Sequence, residues 1–436
     1  MFSFKVVKKD KDSRARVGVI ETPHGTVETP AYTMVGTNAA VRTLAPEDIA
    51  ETKTEIVIVN TYHMWKDLGD ELETFKGLHK KMKWQGPLMT DSGGFQVFSF
   101  GFGREHKIGK IAQRFPESTL SRGGSRSTVE LGIREADSTA RERRLASAAG
   151  AEEQPATRDN VHSGRSDRNL VKITEEGVYF YDGEERFLNP EISMHIQEKL
   201  GADIIFAFDE CTSPLNDYGY TKGSMERTHR WALRSLAAKK QEDQALYGIV
   251  QGGEFEDLRK ESARVVGSMA FEGFGIGGSF GKEEMLDVLD WVTPLLPDGR
   301  PRHLLGIGRV EDIFAGVERG IDTFDCVIPT REARHGSLWT KRGRFDVRKG
   351  KYAEDNERVE DDCLCPVCSK NISRKELHNL FKAKDQEAGR LATIHNVWFF
   401  NDLMTQIREA IKENKFKELK KEMLEKITSN KKQGTI

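Results

Sequence analysis

The sequence has almost no net charge, no long apolar run and few cysteines, and each lack limits what the protein can be. Across 436 residues, Lys and Arg number 67 and Asp and Glu number 69, which gives a formal charge of -2. Such a chain has no global attraction to a polyanion or to an anionic membrane. A nucleic-acid site would therefore have to be a local basic patch.

No run approaches the roughly 20 apolar residues that a membrane span needs. The opening segment MFSFKVVKKD is charged from its fifth residue, unlike the apolar core of a signal peptide. Five cysteines, an odd number in a long chain, do not form a disulfide framework. We therefore expect a cytoplasmic protein with no membrane partner. The crowding of three cysteines into residues 363–368 needs a separate explanation.

Short aliphatic runs, each followed by a turn and a helical pattern, recur along the chain. The candidate strands are residues 31–36, 55–63, 87–94, 202–210, 246–253, 273–279, 302–309 and 322–330. Continuous apolar strands that alternate with helices indicate a parallel sheet covered on both faces. Seven such units, with residues 31–36 as a possible eighth strand, favour an α/β fold, a (β/α)8 TIM barrel, over an open sheet. Asn189 and Pro190 match an N-cap and the first residue of one of the helices.

Cys363, Cys365 and Cys368 place three soft metal ligands in one tight loop. With His395 as the fourth ligand they would close a tetrahedral structural site for one Zn²⁺, and His378 is the competing fourth ligand. A closed site leaves no position for water, so this zinc would stabilise the fold and perform no hydrolysis. Three reduced core cysteines are the alternative, although such cysteines rarely crowd into so polar a segment.

The predicted organisation has four parts. Residues 1–103 contain N-terminal strands and the first part of the barrel, 170–350 the rest of the barrel with the active site, and 351–436 a zinc-binding subdomain. The last part ends in one amphipathic helix that runs through REAIKENKFKELKKEMLEK. Residues 104–169 contain a single aromatic residue and little apolar periodicity. We expect a disordered insertion there, with an RNA-binding arm as the alternative.

Three aspartates, Asp91, Asp209 and Asp325, stand at or just after predicted strands. Singly, each is more often a helix cap or a turn residue than a catalytic group. Three aspartates at one face of a barrel favour a catalytic role. Two carboxylates across a sugar can act as nucleophile and general acid/base at an anomeric carbon. A third can hold a base by accepting its N–H donors.

Glycine pairs at residues 93–94, 252–253 and 277–278 accompany these aspartates. Singly, each pair is explained by turn geometry, since none completes a phosphate-loop pattern. Bare backbone also lets a flat heterocycle approach N–H and C=O groups closely. Gln251, beside one pair, could then read the edge of a base, because an amide offers both a donor and an acceptor.

Residues 331–351, directly beyond Asp325, carry eight basic and two acidic residues, a local charge of +6. Residues 406–436 carry nine basic and five acidic residues. A solvated basic loop is the simpler interpretation of the first segment. Its position next to a candidate nucleophile favours the alternative, that phosphates and bases of a nucleic acid lie across it.

Taken in order, these motifs resemble the tRNA-guanine transglycosylase family in its bacterial form. The matching segments are DSGGFQ (91–96), KITEEGV (172–178), FDEC (208–211), GIVQGG (248–253), GIGG (275–278), GIDTFDCVIPTR (320–331) and the three cysteines with His395. They cover about 350 residues, everything except 104–169 and the tail. Any one motif is modest evidence, but the ordered set is highly specific.

The resemblance implies exchange of guanine at wobble position 34 of tRNAs with a GUN anticodon for the deazaguanine preQ1, in queuosine biosynthesis. It implies Asp325 as the nucleophile that attacks C1′ of the ribose, Asp91 as the general acid/base, and a homodimer. The implied base pocket consists of Ser92, Gly93, Gly94, Phe95, Asp209, Cys211, Gln251, Gly277 and Gly278. The implied RNA-contacting residues are Gly306, Ile307, Gly308, Arg309, Val310, Glu311, Asp312, Thr330, Arg331, Glu332, Ala333 and Arg334. Cys363, Cys365, Cys368 and His395 match the zinc ligands of the family.

Two other functions fit parts of the sequence. A non-catalytic tRNA-binding relative or accessory subunit would keep the barrel and the zinc site, but the presence of both Asp91 and Asp325 argues against it. A metal-dependent barrel hydrolase would need clustered histidines at strand ends, and His63 and His303 look isolated.

One segment departs from the family pattern. After GIGG the family usually has an aliphatic and small sequence, where this chain has Ser279 and Phe280. Because that segment helps to sense the aminomethyl group of the substrate, the choice between preQ1 and a related deazaguanine stays open.

Overall fold

The structure is a computed structural model that describes residues 2–98, 171–278 and 282–432. The segment 104–169, expected to be a disordered insertion or an RNA-binding arm, lies outside the described residues. So do Ser279 and Phe280. The domain boundaries at residues 103, 170 and 350 stay predictions.

The described residues form sixteen strands. In chain order they are β1 (Ser3–Lys9), β2 (Arg16–Thr22), β3 (Gly25–Thr29), β4 (Ala31–Val35), β5 (Val57–Val59), β6 (Leu88–Thr90), β7 (Val171–Ile173), β8 (Val178–Tyr181), β9 (Glu185–Leu188), β10 (Ile204–Phe206), β11 (Ala245–Val250), β12 (Gly273–Ile276), β13 (Arg302–Leu304), β14 (Thr323–Asp325), β15 (Ser337–Thr340) and β16 (Gly343–Asp346).

The α-helices follow the same numbering. They are α1 (Pro46–Ala50), α2 (Thr61–Leu68), α3 (Leu78–Met82), α4 (Pro190–Leu200), α5 (Tyr218–Ala238), α6 (Glu256–Ser268), α7 (Lys282–Val292), α8 (Val310–Glu318), α9 (Ile328–Arg334), α10 (Pro366–Ser369), α11 (Arg374–Ala383), α12 (Gln386–Lys412) and α13 (Phe416–Lys432). Short 3₁₀ helices span Gly69–Thr74, Thr293–Leu295 and Gly350–Tyr352.

Eight parallel strands close into a barrel, which confirms the predicted (β/α)8 fold. The order around the barrel is β4, β5, β6, β10, β11, β12, β13 and β14, and β14 pairs with β4 to close it. All six residues of β11 are buried, because the barrel interior covers one face of the strand and helices cover the other. This explains why the barrel strands are continuous apolar runs in the sequence.

An antiparallel sheet of β1, β2 and β3 covers the amino ends of the barrel strands. Ile20 and Val27 of this sheet pack in one buried cluster with interior barrel side chains such as Phe206, Tyr247 and Ile249. A second cluster lies between the strands and the surrounding helices. Since one end of the barrel is plugged by the sheet, the carboxyl ends of the strands are left as the open face.

Two predictions about helices have different outcomes. Asn189 caps α4 by accepting a hydrogen bond from the backbone N–H of Ile192, as expected. The prediction of a single C-terminal amphipathic helix was wrong, because the chain forms α12 and α13 with a break between them. Asn414, in the break, has a φ of 56°, a left-handed conformation that ends a helix. No helix among the described residues is long and apolar enough to cross a bilayer.

A buried ion pair joins the N-terminal sheet to the barrel. Arg16 of β2 donates to both carboxylate oxygens of Asp322, from Nε at 2.9 Å and from Nη2 at 2.6 Å. Asp322 directly precedes β14 and is fully buried, as is almost all of Arg16. The remaining guanidinium donors reach the carbonyl oxygens of Asp298 and Arg300. This bidentate pair fixes the plug against the amino end of β14.

We expect Arg16→Met to lower the free energy of unfolding by about 3–5 kcal/mol, because Asp322 would keep a buried charge without its partner. Arg14→Met removes a half-exposed ion pair with Asp290 and should cost less than about 1 kcal/mol. Urea unfolding of both variants measures the difference. If both variants lost the same free energy of unfolding, the buried pair of Arg16 and Asp322 would contribute no more than the exposed pair.

Candidate active site

The open face of the barrel gathers the aspartates and the glutamine that the sequence singled out. Asp91 follows β6, Asp209 lies beyond β10, Gln251 follows β11 and Asp325 ends β14. Since the carboxyl ends of parallel strands meet at one rim, these side chains share a single site. The contacts between them, described next, show how each group is held.

Asp91 is partly buried at the start of the DSGGFQ segment and accepts hydrogen bonds from two directions. Its Oδ1 accepts from the backbone N–H of Thr61 at 3.0 Å and of Gly93 at 3.1 Å. Its Oδ2 accepts from the side-chain amide of Asn60 at 2.5 Å. Asn60 and Thr61 follow β5 at the beginning of α2, so the neighbouring strand positions this carboxylate.

The pKa of Asp91 is raised to about 6. Burial is the largest cause, and the negative charge of Asp325 adds to it, while the hydrogen bonds from Thr61, Gly93 and Asn60 act in the opposite direction. Asp91 and Asp325 therefore interact electrostatically within one site. A carboxyl group that titrates near neutral pH is suited to both giving and taking a proton.

Asp325 presents one anchored oxygen and one open oxygen. Its Oδ1 lies 3.1 Å from Nε2 of His303 and accepts from the backbone N–H of Gly306 at 2.9 Å. Among the described residues, no donor lies within hydrogen-bonding distance of Oδ2. Nδ1 of His303 lies 2.9 Å from the hydroxyl of Thr323, which fixes the plane of the imidazole. His303 therefore positions Asp325, a contact that the sequence did not suggest, and it belongs to no metal-binding cluster among the described residues.

Asp209, Ser92 and Gln251 form a second, connected group. The hydroxyl of Ser92 donates to Oδ1 of Asp209 at 3.1 Å, and the amide of Gln251 donates to Oδ2 at 2.7 Å. Burial raises the pKa of Asp209 to about 6. Oε1 of Gln251 is buried and has no hydrogen-bond partner among the described residues. Such an orphaned acceptor marks a place where a ligand can donate a hydrogen bond.

Glycine is required at two positions around this group. A Cβ on Gly94 would lie 2.9 Å from the carbonyl oxygen of Asp209, and one on Gly277 would lie 2.8 Å from Nε2 of Gln251. Any side chain there would displace the polar groups. Gly278 follows Gly277, Cys211 is half-buried near the end of β10, and Phe95 is 45% exposed.

Arg259 of α6 holds the loops that carry these glycines, a role that the sequence did not suggest. Its Nε donates to the carbonyl oxygen of Gly253 at 2.7 Å, and its Nη1 donates to those of Val250 at 3.0 Å and Gly277 at 2.7 Å. The side chain is fully buried. Burial lowers the pKa of Arg259 to about 10. One side chain thus joins the loops after β11 and β12.

The candidate RNA-contacting residues fall in two segments, and not all of their side chains reach the surface. Gly306, Ile307, Gly308 and Arg309 precede α8, whose first residues are Val310, Glu311 and Asp312, and Thr330 to Arg334 lie in α9. The side chains of Val310, Thr330 and Ala333 are buried. Glu332 is occupied by hydrogen bonds from Trp339 and Arg344.

The arginines of α9 form a positive group with Arg42. Burial, together with the positive charges of Arg42 and Arg331, lowers the pKa of Arg334. The order of the sequence hid this grouping, because Arg42 lies far from α9 along the chain. A bound anion such as a phosphate would offset the repulsion between these cations.

The predicted metal ligands come together in one buried cluster. Nδ1 of His395 lies 3.9 Å from Sγ of Cys363, 3.4 Å from that of Cys365 and 3.6 Å from that of Cys368. Sulfur and nitrogen atoms bound to one tetrahedral zinc at its usual distances are about 3.5 Å apart. The donor set and its spacing therefore fit a structural zinc ion.

The ring of His395 is oriented for this role by its other nitrogen. Nε2 lies 2.8 Å from the carbonyl oxygen of Trp339, to which it donates, so that Nδ1 offers its lone pair to the thiolates' side. His378, the competing ligand, instead contacts the carbonyl oxygen of Val347 and lies outside the cluster. His395 is thus the fourth member.

We expect Cys365→Ser to lower the bound zinc by about one ion per chain, because a hydroxyl is a poor zinc ligand. The buried His378→Gln is the matched control and should retain the metal. Atomic absorption after extensive dialysis measures both. Loss of zinc in the control alone would reverse the assignment of the fourth ligand.

Comparisons with known proteins agree with the site. The family model of the queuine tRNA-ribosyltransferases matches residues 10–122 and 126–429, so within the segment 104–169 only residues 123–125 lie outside the match. A protein of Archaeoglobus fulgidus is 44% identical and aligns over 94% of this chain and 96% of its own length. Queuine tRNA-ribosyltransferases of Halothermothrix orenii and Caldanaerobacter subterraneus are each 40% identical, over 97% and 98% of this chain and the same shares of their own.

A family match across nearly the whole chain and relatives at this identity are sufficient to assign it. The chain belongs to the queuine tRNA-ribosyltransferase family, the tRNA-guanine transglycosylases.

Proposed function

We propose that the protein is a pentosyltransferase that exchanges guanine at wobble position 34 of tRNAs with a GUN anticodon for preQ1. These are the tRNAs for Asp, Asn, His and Tyr. The observation that carries the proposal is the pair Asp325 and Asp91, in which one carboxylate has an open oxygen and the other titrates near neutral pH. The relatives, which are queuine tRNA-ribosyltransferases, support exchange on tRNA.

In the first step, Oδ2 of Asp325 attacks C1′ of the ribose and the bond from C1′ to N9 of guanine breaks. The electron pair stays on the base, and Asp91 supplies the proton that neutralises it. The result is a covalent aspartyl-ribosyl tRNA. His303 and Gly306 hold Oδ1, so the attacking oxygen is the one without a donor.

In the second step, the incoming deazaguanine gives its proton to Asp91 and attacks C1′, and the bond to Asp325 breaks. The covalent intermediate conserves the energy of the glycosidic bond, so no nucleotide triphosphate is consumed. Water must be excluded during its lifetime, because hydrolysis would leave an abasic tRNA. Within this scheme a metal held by the cysteine cluster would have a structural role only.

Recognition of the base falls to Asp209, Gln251 and the glycine segments. Asp209 accepts N–H donors of the heterocycle, and Oε1 of Gln251 takes the hydrogen bond that it lacks in the described structure. A purine in a stacked loop cannot reach such a pocket, so the nucleotide is splayed out, and the exposed Phe95 is placed to stack on it.

The tRNA itself is held by the positive group of Arg42, Arg331 and Arg334, which contacts phosphates next to the wobble nucleotide. A homodimer is part of the proposal, as is a cytoplasmic location. Mass spectrometry of tRNA after incubation with preQ1, preQ0, queuine and guanine tests activity and base choice together. Binding of tRNA without incorporation of any base would favour the non-catalytic relative.

We expect Asp325→Asn to abolish the covalent tRNA adduct and to reduce exchange by about 10⁴-fold or more, while tRNA binding stays within a few-fold, because an amide is a poor nucleophile. Denaturing gels with labelled tRNA detect the adduct, and filter binding measures affinity. An adduct that survives this change would remove Asp325 from its role.

Asp91→Asn should slow guanine exchange by about 10²- to 10⁴-fold, because asparagine cannot transfer the proton. Labelled guanine incorporation measures the rate. Asp290→Asn, which changes a half-exposed carboxylate outside the site, is the control and should leave the rate unchanged. A variant of Asp91 with the wild-type rate would contradict the assignment.

The same variant separates catalysis from stability. The native pKa of Asp91, about 6, lies above its ordinary value of 3.8, so the native state binds the proton more tightly than the unfolded chain. The ionised group therefore costs stability as pH rises through this window, and the cost persists above it. We compare the free energy of unfolding of Asp91→Asn with that of the wild type at two pH values. The variant's advantage should be larger at pH 7.5 than at pH 4 by up to about 3 kcal/mol. Urea unfolding at both pH values gives the comparison, and a loss at pH 7.5 would contradict it.

A further inference from the structure

Two histidines and an aspartate meet at the amino end of the barrel, on the side opposite the active site. His24 lies in the turn between β2 and β3, His79 in α3, and Asp203 directly before β10. One ligand atom from each of the three lies within 4.8 Å of the others. These residues come from three separate parts of the chain, and no sequence motif joins them.

The three side chains lie close enough to one another to share one ion. Nδ1 of His24 is 2.7 Å from Oδ1 of Asp203, and Nε2 of His79 is 3.5 Å from Oδ2. Nitrogen and oxygen atoms bound to one zinc ion at its usual distances are about 3.0–3.5 Å apart. The two imidazoles are stacked, with ring centroids 3.5 Å apart and an interplanar angle of 20°, so one ring must tilt to direct both nitrogens at a single ion.

Asp203 is held in place independently of the histidines. Its side chain is fully buried, and Oδ2 accepts a hydrogen bond from the backbone N–H of Leu88 at 2.8 Å. Burial opposes its ionisation, but hydrogen bonds from His79, His24 and Leu88 outweigh this and hold the pKa of Asp203 below its ordinary value. The cluster therefore contains a preorganised negative charge.

The surroundings admit and favour a cation. His24 and Asp203 border an open cavity of about 120 Å³ that Glu198 and Asp243 also line. This volume accommodates a metal ion with bound waters. His24 is 41% exposed at its side chain, which gives an ion access from solvent.

We propose that His24, His79 and Asp203 bind one divalent transition-metal ion, as a second metal site distinct from the cysteine cluster. Two imidazoles and a carboxylate suit zinc and its neighbours, and water from the cavity completes the coordination. Nε2 of His79 lies 3.2 Å from the carbonyl oxygen of Gly86, and this hydrogen bond is exchanged for the metal when the ion binds. The ion then ties the β2–β3 turn to α3 and to the start of β10.

The test uses the full-length protein with its cysteine cluster loaded with zinc. Calorimetric titration with Zn²⁺ should show a second equivalent, and the melting temperature should rise by a few degrees at saturation, since the ion binds the folded site more tightly than the unfolded chain. Co²⁺ bound at this second site should give a spectrum without thiolate charge-transfer bands, because all its ligands are nitrogen and oxygen.

Single substitutions define the ligands. His24→Ala and His79→Ala should each weaken the second equivalent by at least about tenfold. His195→Ala is the matched control, because His195 forms a similar pair with Glu73, with Nε2 2.7 Å from Oε1, and lies outside the cluster. Circular dichroism verifies that each variant folds. A wild-type protein that binds no second equivalent, or three variants that bind Zn²⁺ alike, would overturn the proposal and leave the cluster as a hydrogen-bonded group.

Discussion

A carboxylate buried away from water must receive its hydrogen bonds from the protein, and the candidate active site depends on this constraint. Asp91, Asp209 and Asp325 each stand at the carboxyl end of one strand, and their donors come largely from neighbouring strands or loops. Only a closed barrel surrounds all three in this way. Burial raises the pKa of Asp91 and Asp209 to about 6, and a carboxyl group with a raised pKa is suited to proton transfer.

The cysteine cluster is connected through α12 to the residues that we propose contact tRNA. His395 belongs to α12, and the next residue, Asn396, donates from its amide to the carbonyl oxygens of Pro329 and Ser337. The side-chain oxygen Oδ1 of Asn396 accepts a hydrogen bond from the backbone N–H of Trp339. A metal bound by the cysteines would therefore fix α12, and through it α9 with Arg331 and Arg334. A structural ion would thus affect RNA binding without touching RNA.

Local patterns were sufficient to predict the barrel, the cap of α4 and the cysteine cluster. Each of these features depends on residues close together in the chain: a continuous apolar strand, an Asn–Pro pair and closely spaced thiols. The amphipathic pattern after residue 408 failed to show the break at Asn414, because a left-handed residue leaves the hydrophobic pattern on both sides intact. Catalytic roles for Asp91 and Asp325 remain proposals, although the sequence motifs placed both residues on the correct face.

The sequence by itself determined the fold class and the residues that carry charge at the strand ends, because strand periodicity and side-chain chemistry are local properties. Only the tertiary structure decided which side chains and backbone groups position these charged residues. His303, Arg259 and Arg42 act on partners that are distant in the chain or on neighbouring strands, and so do His24 and His79. Barrel closure sets those distances, since it brings each strand beside partners that no local pattern can specify.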